Sequence, residues 1–133
     1  MIVKLFKITV AVQGIYSLIT ALWGLIDIES FMAITGTKSD IWLVKTVSVL
    51  LVAISVTMLS QFIRPYDPFP TIVLGALTSA GLSAIEFYYS FRDVISPVYT
   101  LDGVLQILFL ASWLLLVSKY KRLKSLIKSG QVA

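Results

Sequence analysis

Residues 41–63 read IWLVKTVSVLLVAISVTMLSQFI, a run in which Lys45 is the only charge. A helix needs about 20 mostly apolar residues to cross the hydrocarbon core of a bilayer, and this stretch is long enough. Three more runs match it. Ile8 to Ile26 carries no charge, Phe69 to Tyr89 carries only Glu86, and Val98 to Ser118 carries only Asp102. In lipid every backbone N–H and C=O must be paired within the chain. Without alternating strand patterns, these runs are helices. The segments between them are short, so neighbouring helices should run antiparallel. The reading is one all-α domain over residues 1–133: an integral membrane four-helix up-down bundle with antiparallel neighbours and a basic tail at 119–133.

The composition agrees. Of 133 residues, 58% are hydrophobic and 14% charged, against roughly 45–50% and 25% in soluble domains. The absence of cysteine excludes disulfides and thiolate chemistry, and the absence of histidine removes the commonest general base and metal ligand. No phosphate-binding loop, dinucleotide fingerprint, nucleophile elbow or metal-ligand spacing is found, so neither a cofactor nor a metal is expected, and catalysis is not the favoured role. A nucleic-acid partner is not expected, because no recognition fold accompanies the basic residues.

The first span resembles a signal peptide in having Lys4 and Lys7 before it. Its apolar run exceeds the usual length, however, and Trp23 stands where a small-residue cleavage site belongs; it reads as a retained helix. Orientation follows from the Lys/Arg bias. Lys4, Lys7, Arg64 and the tail residues Lys119, Lys121, Arg122, Lys124 and Lys128 fall on one side of a four-span chain, while the opposite loops are mixed in charge. This places the N-terminus and C-terminus in the cytoplasm and the chain in the cell (inner) membrane. Residues 64–70, with three prolines, form a rigid turn on that side. Ile28, Phe31, Met32 and Ile34 are expected in the outer interface, flanked by Trp23 and Trp42. Tyr120, Leu123 and Ile127 recur at helical spacing between basic residues, as expected for an amphipathic segment lying on a leaflet of anionic lipid.

Lys45, Glu86 and Asp102 each lie about one helical turn inside the same end of their spans, hence at similar depth. Intramembrane charges generally face the bundle interior and pair. Each helix extends the theme along one face: Gln13, Ser17, Thr20 and Gly24; Lys45, Ser48 and Ser55; Ser79, Ser83 and Glu86; Asp102 and Gln106, with Trp113 beyond them. Converging stripes would make an outward-facing polar cleft lined by Lys45, Glu86, Asp102, Gln106, Gln13, Ser17 and Tyr89, with Tyr16 and Tyr88 close by. The alternative is structural. Small residues such as Gly75, Ser79 and Ser83, and buried polar groups generally, glue membrane helices together, and an ion pair from Lys45 to Glu86 or Asp102 would fix the register. Two carboxylates against one lysine leave an excess negative charge, to be met by a shared proton or a cationic ligand.

The layout resembles the small bacterial four-helix membrane proteins grouped as DoxX-like or DUF4345-like. The resemblance is carried by the Gln13-Gly14 to Gly24 first helix, the Ile28–Gly36 outer loop, Trp42 to Val47 opening the second span, and the last hairpin closing on Asp102-Gly103. It implies a membrane protein and little about chemistry. A second resemblance is to four-helix EXPERA-type proteins, which include sterol isomerases and sterol-binding receptors. It would make Glu86 and Asp102 the cavity carboxylates, though that family's histidines are missing. Three roles follow: a protein binding or moving a small amphiphile or cation, an accessory subunit whose charges serve assembly, or an intramembrane lipid isomerase. Small-residue faces would suit a homo-oligomer.

Overall fold

A computed structural model describes residues 1–63 and 67–130. Among these every regular element is a helix: α1 Ile2–Ile26, α2 Ile28–Thr35, α3 Ile41–Ile63, α4 Pro68–Ser90, α5 Val98–Ser118 and α6 Tyr120–Lys128. α1, α3, α4 and α5 are long and apolar enough to cross a membrane. The first helix begins at Ile2 rather than Ile8, so Lys4 and Lys7 ride on its first turns. The proline turn expected over 64–70 lies outside the described residues at 64–66. From Asp67 it is seen as a cap: the carboxylate accepts from the Phe69 N–H at 3.1 Å, and Pro68 and Pro70 occupy the first turn of α4, where a missing N–H costs nothing.

The long helices pack as two close pairs, α1 with α3 and α4 with α5. The two pairs meet more sparsely, α1 against α5 and α3 against α4. Small residues set the close approaches. Gly14 of α1 lies against Leu59 and Gly24 against Ser48, both on α3; Gly75 of α4 lies under the Trp113 indole of α5. α3 buries only a narrow stripe, Ser48, Ser55 and Met58.

The two ends of the bundle differ. Toward α6, Phe6, Val10, Met58, Ile72, Trp113 and Leu116 form a solid core, joined by Leu123 and Ile127. The apolar stripe expected on α6 is spent on the protein: Leu123 and Ile127 are buried as α6 folds back across the bundle end. Lys124 is drawn in with it, donating at 2.8 Å both to Asp67 and to the Tyr120 hydroxyl. Lys119, Lys121, Arg122 and Lys128 stay exposed. At the other end Asp27 caps α2, accepting from the Ser30 N–H at 3.1 Å. Gly36, at φ 87°, ends the helix in the left-handed half of backbone space that glycine tolerates. α2 thereby turns Phe31 inward, edge-on to Trp23, rather than into the interface.

Candidate functional site

At the α2 end the four long helices line an open cavity of about 270 Å³. α1 supplies Tyr16, Ser17, Thr20 and Ala21, and α5 supplies Tyr99, Asp102 and Gln106. α4 supplies Leu82 and Glu86. The wall along α3 is mostly apolar, with Ser48 its only polar side chain, and Phe31 closes one side. The cavity is open past Leu43 and Val47, which are 49% and 43% exposed.

Its polar groups converge on Asp102. The Tyr16 hydroxyl donates to Asp102 Oδ1 at 2.8 Å, and Gln106 Nε2 donates to the same oxygen at 3.2 Å. Glu86 lines the same cavity as Asp102. Glu86 is 6% and Gln106 1% exposed, yet Glu86 Oε2 and Gln106 Oε1 have no hydrogen-bond partner. Buried polar atoms are paired in the large majority of cases, and one left unpaired costs about 1–3 kcal/mol. Two such oxygens in one cavity, beside a second carboxyl, form a site short of hydrogen-bond partners. The nearby ammonium of Lys38 is already engaged. It donates to the Thr35 and Gly36 carbonyls at 2.7 and 3.0 Å and lies 5.2 Å from the Tyr99 ring centre; partial burial there lowers its pKa.

Of the residues expected in the cleft, Ser17, Glu86, Asp102 and Gln106 come together. Lys45 does not: it is exposed on α3, and among the described residues no ion pair links it to either carboxylate. The narrow buried stripe of α3 excludes it, and its long stem lets the ammonium reach toward the membrane surface. Gln13 lies deeper and is saturated. It accepts from Trp113 Nε1 at 2.6 Å and donates to Ser79 Oγ at 2.9 Å. Tyr89 is 40% exposed and packs edge-on against Tyr88, outside the cavity. Sequence reasoning missed Tyr99 and the apolar walls. Tyr99 stands three residues before Asp102 and Leu82 four before Glu86, so helical spacing carried the signal. Among the described residues no acidic cluster has the makings of a metal site.

No protein-family model, curated protein or solved structure matches the chain.

Proposed function

We propose that this membrane protein binds a small apolar molecule carrying a protonated amine. The observation that supports the reading is the pair of buried, unpartnered acceptors, Glu86 Oε2 and Gln106 Oε1, in a largely apolar cavity beside a second carboxyl. Two neighbouring carboxyls are relieved by a shared proton or by a cation between them, and the hollow beside them leaves room for a cation. An ammonium brings that charge and up to three donors on one small centre, while the walls along α3 and Leu82 suit a hydrocarbon chain. A volume of about 270 Å³ lies just below the ~300–1,000 Å³ of most ligand sites, which favours a small ligand.

In this reading both termini lie in the cytoplasm. Support comes from the gathering of Lys4, Lys7 and the exposed residues Lys119, Lys121, Arg122 and Lys128 at the bundle end remote from the cavity. Those side chains would meet anionic headgroups, each contributing about 1 kcal/mol, and the cavity would face the outer leaflet.

The test is thermal unfolding of the detergent-purified protein with octylamine, octanol and octanoate. A ligand of the folded state raises stability by RT ln(1 + [L]/Kd), about 2.7 kcal/mol at a hundredfold excess over Kd. Octylamine should stabilise the wild type and Lys45→Ala alike but not Glu86→Gln, and octanoate should do nothing. Equal shifts with octanol and octylamine, or an undiminished shift in Glu86→Gln, would refute the amine site. If no amine acts and Glu86→Gln merely unfolds earlier, the charges serve assembly.

A further inference from the structure

A second chamber, of about 330 Å³, adjoins the first. Tyr16, Thr20, Phe31, Tyr99 and Asp102 line both, so the hydrogen-bonded Tyr16–Asp102 pair stands in their common wall. The second chamber's own walls come from α1, α2 and α5, chiefly Trp23, Ile34, Val98, Leu101 and Leu105. Its exposed side chains, Ile34 and Leu101, belong to α2 and α5, whereas the first chamber is open along α3. Two apolar spaces of similar size thus border Asp102, Glu86 lining only the first, and their exposed side chains belong to different helices.

A single-tailed amine anchored at Asp102 fills one space and leaves the other to lipid or water. An amine with an arm on each side of its nitrogen fills both, burying apolar area at about 25 cal/mol per Å² while its charge stays at the carboxyls. We infer that the ligand is a secondary or tertiary amine with two apolar arms of comparable size, its nitrogen at Glu86 and Asp102 and one arm in each chamber. This rests on the amine-binding reading above.

Octylamine and dibutylamine are isomers that separate the two ideas. The chain has no cysteine, so single cysteines report cleanly. Val44→Cys marks the first chamber and Val98→Cys the second, each residue lining only its own. Labelling by a small neutral thiol reagent is followed in detergent. At ten times its Kd, a ligand covering a cysteine slows labelling roughly tenfold by mass action. Dibutylamine should protect both positions and bind more tightly than octylamine, which should protect Val44→Cys alone. If dibutylamine also protects only Val44→Cys, or octylamine protects both positions as well, the two-armed ligand is refuted while the amine site stands. If neither amine protects either position, the amine site falls and this inference with it.

Discussion

The α6 end and the α2 end of the bundle both bury polar side chains among apolar helices, and they do opposite things with them. At the α6 end the buried Gln13 spends both ends of its amide, on Trp113 and on Ser79, and the packing around it is solid. At the α2 end Glu86 and Gln106 are as well hidden, but each keeps an acceptor atom unpaired and the space beside them is hollow. Buried polarity in a membrane helix therefore does not separate structure from function. A closed set of hydrogen bonds fixes helix register, whereas an open set next to empty volume is stable only when something supplies the missing donors.

The largest effect that can break this contrast is expected at Gly75. A methyl group there would overlap the Trp113 indole, 2.6 Å from Cζ2, with the ring held on its far side by the core. Gly75→Ala should cost about 3 kcal/mol or more, at the top of the overpacking range, read as a lowered unfolding midpoint in detergent. Gly81, on the same helix, has nothing within 4 Å, so Gly81→Ala should be close to neutral. Equal stabilities for the two variants would mean that the α6 end is not rigid.

A smaller effect sharpens the contrast. Gln13→Leu strands the Trp113 N–H and should lose about 1–2 kcal/mol with amine binding intact. Glu86→Gln should do the reverse, keeping or raising stability by removing a buried carboxyl beside Asp102 while abolishing binding. If Gln13→Leu weakened octylamine binding as much as Glu86→Gln, the two ends would be one functional unit.

Four helices, their antiparallel order and the depth of Glu86 and Asp102 were all legible in the sequence, because span length and charge position depend only on the chain's own periodicity. Which face of each helix is buried was legible on some helices and not on others. On α4 and α5 the stripe from Glu86 back to Ser79, and from Asp102 to Gln106, was right. On α3 spacing alone put Lys45 beside Ser48 and Ser55, but the stripe that α3 buries, Ser48, Ser55 and Met58, leaves Lys45 outside it. Gln13 shares its face with Ser17, yet lies a turn further from the cavity, level with Trp113. That depends on how α1 and α5 are staggered, which no single helix encodes. The basic tail showed its amphipathic spacing; that its apolar side faces protein and not lipid follows from Asp67, distant in sequence, holding Tyr120 and Lys124.

That last contact carries the smallest predicted effect, on how the solid end is closed. The Lys124 ammonium and the Phe69 N–H hold the Asp67 carboxylate below its usual range, and Asp67 with Tyr120 holds the Lys124 ammonium above its own. A lowered carboxylate pKa adds stability above the ordinary value, near 4, and loses it as pH falls through the lowered one. A raised lysine pKa adds stability below the ordinary value, near 10.4, and loses it as pH rises through the raised one. The difference in unfolding midpoint between wild type and Lys124→Met should thus be a small plateau between those limits, shrinking below pH 4. High salt should shrink it too, since both groups are about one-third exposed. A difference that stays flat into strong acid would mean that Leu123 and Ile127 alone dock α6. The solid end would then owe nothing to charge, and electrostatics would matter only in the hollow one.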